Sequence, residues 1–404
     1  MAITDLLVEH FEELEFLWGQ RCDSLRSSSL GMRGLLDLDE RIEAHVEGLL
    51  VGGEDGIPVV KHGLASEDAM IAFAAGYSLL RLETAAAAKL VVEAFQEAQE
   101  GQLDGIRQAL CQGPSELVSA ELQKAAVDAP ATIAVAALEA LAVHARAQPA
   151  LNRLARFFSD ELPEVRRAAW RINGQLGLAR TQTFFEPALR EADEGVRGEA
   201  LRSAAWTQQA WLLPYCRSLA GKPRPENGEA HRLLALLGGP AELQPVLGLG
   251  RQAELGPGRF RLLGALGHPG VVEELLRGME NPELRSAVAA GAAFTKMTGC
   301  DIESGKRIQL PPEDGHEPDE FEKEFLDEAK LPDAQKAREH WARVKPQFSQ
   351  ASRICRGFDL SRGATPEILN QLDMESRWEA CLRGKFHGTW RGTPWDLERF
   401  PQAL

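Results

Sequence analysis

The stretch Asp160-Glu161-Leu162-Pro163-Glu164-Val165-Arg166-Arg167-Ala168-Ala169-Trp170 decides how this chain folds. It returns as Ala192-Asp193-Glu194-Gly195-Val196-Arg197-Gly198-Glu199-Ala200-Leu201, which puts Val165 and Val196 31 positions apart, each followed by Arg. An acidic turn that opens into an apolar helical face, recurring at that period, is the pattern of stacked helix pairs. Upstream, Ile133 lies 32 residues before Val165, and Ala136-Ala137-Leu138 falls in register with Ala168-Ala169-Trp170. Downstream, the segments starting at His231 and Phe260 share a Leu-Leu core and stand 29 apart, and Pro282-Glu283-Leu284-Arg285 echoes residues 163–166. Helices over 66–82 and 84–98 have the length and apolarity to precede these, giving about seven units, most of them degenerate. One helix pair buries only one of its sides, so neighbours must stack to complete a core. The Arg after each signature Val is expected to reach Asp160 or Asp193 and tie unit to unit.

The composition fits an α-solenoid. Of 404 residues, 44% are hydrophobic and 26% charged, and only two are Tyr; Ala-rich helices let neighbouring axes approach. The net charge of −15 is uneven: residues 1–60 hold 13 acids against 4 Arg, residues 301–328 hold 11 acids against 3 bases, and the remainder sums to about +2. No basic face able to neutralise several phosphates is implied, so nucleic acid is not an expected partner, and a helical-repeat DNA glycosylase lacks its groove. The six cysteines are widely spaced with no C-x-x-C pair, which suits reduced thiols. The N-terminus has no basic region followed by an apolar run, and the Ala-rich stretch from Ala129 to Val143 is interrupted by Glu139. No membrane insertion and a cytoplasmic location are therefore expected.

Four regions follow. Residues 1–58 are an acidic N-terminal helical cap, with Leu7, Phe11, Leu14, Leu17 and Trp18 on one stripe and Leu38, Ile42, His45, Val46 and Leu49 on another, closed by Gly52-Gly53. Residues 59–302 are the repeat solenoid. Residues 303–335, with Pro311-Pro312, Gly315, Pro318 and Pro332 among many acids, read as an acidic linker holding a short helix near 319–330. Residues 336–404 are a C-terminal helical block with a Trp-rich tail.

No reaction chemistry is visible. The nine His form no H-x-x-x-H pair, and His316 among Glu313, Asp314, Glu317 and Asp319 is the one local cluster of metal-ligand types, in a Pro/Gly-rich loop without calcium-loop spacing. There is no G-x-S-x-G elbow. Gly248-Leu249-Gly250 and Gly256-Pro257-Gly258 follow no strand pattern and read as turns between repeats. The expectation is therefore no enzyme, no catalytic residue, no metal and no cofactor. The residues that suggest binding are Trp378, Arg383, Trp390, Arg391 and Trp395, because Trp and Arg are the commonest interface anchors. The same aromatics would equally cap the open end of a solenoid.

Three stretches resemble a proteobacterial HEAT-repeat family often encoded near type VI secretion genes. They are His10-Phe11-Glu12-Glu13-Leu14-Glu15-Phe16-Leu17-Trp18, residues 36–49, and Ala289-Ala290-Gly291-Ala292-Ala293-Phe294-Thr295-Lys296-Met297-Thr298-Gly299, which is similar to the family's A-x-A-F-x-x-I-T-G with Met297 at the Ile position. The resemblance implies HEAT-like helix pairs and a cytoplasmic accessory role, with no catalytic residue to carry over. Its expected partner is a protein: a secreted effector, its loading proteins, or a toxin. Read this way, the chain is a protein-binding scaffold, an adaptor or co-chaperone for a type VI effector. The alternative is an immunity protein that plugs a cognate toxin.

Overall fold

The computed structural model describes residues 3–53, 56–312 and 318–400. The chain is an all-α solenoid that carries two short two-stranded β ladders among the described residues, and it divides into two compact units. The first holds Met1–Thr207, Asp373–Glu375 and Gly392–Leu404, the second Gln208–Leu372 and Ser376–Arg391. The expected boundaries are thereby redrawn. The 1–58 cap merges with the first repeats, the 59–302 array divides after Thr207, and the 336–404 block is shared out.

The first unit opens with α1 (Ile3–Ser24), α2 (Met32–Val51) and α3 (Gly56–Lys61). It continues through α4 (Ala69–Arg81), α5 (Ala85–Glu97), α6 (Glu100–Gln112), α7 (Ser119–Asp128), α8 (Ala131–Val143), α9 (Leu151–Phe157), α10 (Pro163–Gln175), α11 (Gln182–Leu189) and α12 (Glu194–Trp206). The even helices from α4 to α12 stack on one another as a row, and α5, α7, α9 and α11 pack beside it. Ile133, Val165 and Val196 are each the third residue of their helix and each is buried, so the sequence period is the period of the row. Pro163 opens α10, where a missing N–H costs nothing. Asp193 caps α12 by accepting from the Val196 N–H at 2.7 Å.

The tie between units differs from the expectation. The Asp160 and Asp193 carboxylates are used locally, on the N–H groups of Leu162 and Val196, because so short a side chain is best placed for its own turn. Arg166 instead donates to the main-chain carbonyls of Asp160 (2.6 Å) and Glu161 (3.0 Å) and to the Glu191 carboxylate of the next repeat at 2.7 Å. Arg197 donates to the carbonyls of Glu191 and Ala192.

The end of the chain returns to this unit. Asp373 bridges to Gly31, and the Met374 N–H donates to the Leu30 carbonyl at 2.9 Å. Further on, the Trp395 N–H donates to Gln175 Oε1 and the Phe400 N–H to Gln112 Oε1, both at 3.0 Å. Buried Arg21 is paired with Asp39 and donates to the Glu398 carbonyl at 2.9 Å, with its guanidinium 4.4 Å from the Phe400 ring. Phe400 also lies against Trp18 and Tyr77.

The second unit holds α13 (Leu212–Ala220), α14 (Gly228–Leu237), α15 (Leu243–Gly250), α16 (Arg259–Leu266), α17 (Val272–Met279) and α18 (Leu284–Thr298), with α14, α16 and α18 in a row. Gly248–Gly250 are the last residues of helix α15 and not the turn read from sequence, whereas Gly256–Gly258 form a turn into α16 as read. The described residues of the 303–335 segment, read from sequence as an acidic linker, carry a strand pair. Strand β1 (Glu303–Gln309) pairs antiparallel with β2 (Glu328–Pro332), and β2 lies on α18, where Gly291 leaves room for the Pro332 ring. Cross-strand pairs Arg307–Glu328 and Lys330–Glu303 sit on the exposed side. The expected acidic helix reduces to one 3-10 turn, Glu322–Phe325, because the cover over α18 outweighs the local helical preference. The unit ends with α19 (Ala334–Val344), β3 (Ile354–Cys355), β4 (Phe358–Asp359), α20 (Pro366–Leu369) and α21 (Met374–Phe386), whose first residues belong to the first unit.

Close approach of α4 to α6 depends on Gly105. A Cβ there would stand 2.2 Å from the Ala69 carbonyl oxygen and 2.9 Å from the Phe73 nitrogen. Helix propensity alone favours Ala by about 1 kcal/mol, whereas overpacking against main chain costs about 1–3 kcal/mol. Gly105→Ala is expected to destabilise the protein by about 1–2 kcal/mol, read as a lower urea midpoint at unchanged slope.

Candidate functional site

Within the first unit, a groove of about 830 Å³ runs across α6, α8 and α10. Its floor is apolar, with Leu103, Ile133, Ala136, Val165 and Ala168, and its rim carries the exposed acids Glu97, Glu100, Asp104 and Glu164. Through the middle passes an ion-pair ladder. Arg107 of α6 meets Glu139 of α8 at 3.3 Å, and Glu139 meets Arg171 of α10 at 3.2 Å. Burial works to raise the Glu139 carboxyl, but Arg107 and Arg171 on either side outweigh it and hold it down at about 2. These three residues stand 32 apart in sequence, one per repeat at the same helical position. That alternation of charge was visible in the sequence, but only if each repeat is read for its polar positions as well as its apolar ones.

In the second unit the chemistry gathers at helix C-termini. An α-helix leaves its last carbonyls without internal partners, and here the segment after α19 supplies donors. The Ile354 N–H donates to Gly267 O at 2.7 Å, and the N–H groups of Arg356 and Gly357, in the tight turn between β3 and β4, donate to Lys296 O and Met297 O at 2.8 Å each. Gly267 and Gly299 end α16 and α18 with φ of +64° and +69°, the left-handed conformation that suits glycine. Arg353 donates to the carbonyls of Ala235, Gly238 and Ala265. Arg383 donates through Nη1 to those of Leu236 (3.2 Å), Leu237 (2.8 Å) and Gly238 (2.7 Å). His387 meets the Leu237 carbonyl at 2.8 Å. Around these groups lies a cavity of about 240 Å³, also lined by Lys296, Arg362 and Glu379.

The five tail residues singled out from sequence do not form one patch. Trp378 is buried, its ring 5.5 Å from the Arg232 guanidinium. Arg383 is engaged on the carbonyls of α14. Trp390 is half-buried and Arg391 exposed. Trp395 belongs to the first unit, half-buried against its core. Trp378, Arg383 and Trp395 thus close their own units from within. Among the described residues no group of three or more His, Cys, Asp or Glu is placed to hold a metal; the His316 cluster falls on residues 313–317 and lies outside the described residues. No described helix is long and apolar enough to cross a membrane.

No family model matches the chain, and no curated protein matches it. Among solved structures it is similar to a chain of “Kap95p Binding Induces the Switch Loops of RanGDP to adopt the GTP-bound Conformation: Implications for Nuclear Import Complex Assembly Dynamics”, at 12% identity and a TM-score of 0.35. The similarity covers 73% of this chain and 50% of that one, so the present chain spans about half the length of the chain it matches. Nothing about partner or activity follows from a likeness at that level.

The ladder makes a pH prediction. A carboxyl held down in the folded state adds stability that is fully present above its unfolded value, near 4.5, and is lost as pH falls through about 2. Glu139→Gln is expected to cost on the order of 2–3 kcal/mol at neutral pH. The gap to the parent protein should close between pH 4.5 and 2; denaturant titrations across that range read it.

Proposed function

We propose that this chain is a non-enzymatic protein-binding scaffold that holds a segment of a partner protein in the groove of its first unit. The observation that carries this reading is the groove itself: an apolar floor shared by three consecutive repeats, edged by four exposed acids and stiffened by the Arg107–Glu139–Arg171 ladder. Such a surface suits a segment whose apolar side chains are flanked by Lys or Arg, the arrangement in which rim charges steer association and floor contacts set residence time. The resemblance of residues 10–18, 36–49 and 289–299 to a family encoded near type VI secretion genes supports a narrower reading. On that reading the partner is a type VI effector or its loading protein, and the chain is its cytoplasmic adaptor or co-chaperone. A loader must release its cargo, so affinity in the micromolar to nanomolar range is expected, about −8 to −12 kcal/mol.

The test is capture from the native host with the tagged protein, at low and at moderate salt, beside the double variant Glu97→Lys/Glu164→Lys. Both positions are exposed, so the fold should be unchanged by circular dichroism. A specific partner with a basic docking segment is expected, held about tenfold more weakly by the variant. A partner that is toxic alone and silenced by this chain would replace the adaptor role with immunity. Failure to retain any specific protein, or equal retention by the variant, would sink the groove reading.

A further inference from the structure

We propose that the cavity of the second unit is a binding site for a small oxyanion of phosphate type, a phosphoryl group free or carried on a short organic tail. The case begins with charge. Arg353 and Arg383 converge on one acceptor, the Gly238 carbonyl, at 3.3 and 2.7 Å, and every hydrogen bond they make among the described residues goes to main-chain carbonyl oxygen. No ion pair joins either guanidinium to a carboxylate among those residues. Arginine does not shed its proton at neutral pH, so two positive charges lie together in a site where Arg353 is only 8% exposed.

The helix ends offset part of this. Each C-terminus contributes about half a unit of negative charge, so α14 and α16 together cancel about one of the two. Lys296 and Glu379, 2.7 Å apart, cancel each other. Arg362, exposed at the mouth, adds one more positive charge. The cavity is therefore left with about two uncompensated positive charges, in a chain whose net charge is −15. Burial pushes both guanidinium groups below their usual range, Arg383 to about 10, and the Arg383 charge lowers Arg353 further, with the carboxylates of Glu379 and Glu242 offsetting only part of this.

Geometry supplies the rest. Arg383 makes its three bonds through Nη1, so Nε and Nη2 have no partner among the described residues. Arg362 forms no ion pair or side-chain hydrogen bond among them. A fixed guanidinium fork with a free edge, with an exposed one at the entrance, suits bidentate capture of an oxyanion. The cavity volume of about 240 Å³ equals roughly eight waters at about 30 Å³ each. That is room for a phosphoryl group and a few carbons.

Replacing Arg353 or Arg383 would uncap α14 and unfold the unit, so the test uses Arg362→Ala and Ala380→Glu, the second placing a carboxylate among the cations from α21. Thermal unfolding is followed in inorganic phosphate, in glycerol 3-phosphate and in chloride at equal ionic strength. The parent protein is expected to gain roughly 2–4 °C in phosphate over chloride. Arg362→Ala should reduce that gain, and Ala380→Glu should melt higher without anion and lose the response. A larger gain with glycerol 3-phosphate than with phosphate points to a phosphomonoester, the reverse to the free ion. Equal melting in phosphate and chloride, or a phosphate response untouched by both substitutions, would overturn the proposal. Neither result bears on the groove of the first unit, which is read by partner capture.

Discussion

An arginine guanidinium set on main-chain carbonyls at a helix end is the interaction on which both units depend. A stacked helix ends in carbonyls that its own backbone cannot satisfy, and crowding by neighbours denies them water. Arg153 meets the carbonyls of Ala126, Val127 and Ala129 behind α7. Arg166 and Arg197 do the same before α10 and α12, and Arg353 and Arg383 do so behind α14 and α16. One planar group with five donors can close two or three carbonyls at once, and its positive charge complements the helix dipole. A lysine in the same place would satisfy fewer acceptors along fixed directions.

The device carries a charge with it, and the two units treat that charge differently. In the first, Arg166 is matched by Glu191 across the repeat boundary, and Arg107 and Arg171 are matched by Asp104 and Glu139, two cations by two carboxylates. In the second, Arg353 and Arg383 close carbonyls with no ion pair to a carboxylate among the described residues. The same structural need thus yields a neutral ladder in one place and an electropositive cavity in the other. The difference rests on where acidic residues fall: Glu242, the carboxylate that acts on Arg383 from a distance, is itself paired with Arg217.

The sequence made the row legible and left its closures hidden. Val165, Val196 and Ile133 share one place in their helices because apolar spacing and helix starts are local properties, carried by Pro163, Asp193 and the residues around them. The β1–β2 pair was missed since its strands are polar, face solvent on one side and take their stability from α18 beneath Pro332. Trp378 and Arg383 read as interface anchors because their composition fits one, yet Arg383 is engaged on carbonyls 145 or more positions away in sequence and Trp378 is buried beside Arg232. The cavity was equally hidden, as its cations come from α18, α21 and the residues on either side of the β3–β4 pair. The Arg107–Glu139–Arg171 ladder lay in plain view at 32-residue spacing and needed only the polar face of the repeat to be compared.

The return of residues 392–400 to the first unit also sets a clock. During synthesis, Trp18, Tyr77, Arg21 and Gln112 are made long before Phe400 and Glu398, their partners in the finished fold. All of the second unit leaves the ribosome in between, about 190 residues that take on the order of 10–40 s at ordinary elongation rates. Throughout that interval the first unit stays open, with Arg21 and the Trp18 ring not yet covered by residues 398–400. Its completion therefore waits on the synthesis of residues 392–400 and is not set by the speed at which its own helices form.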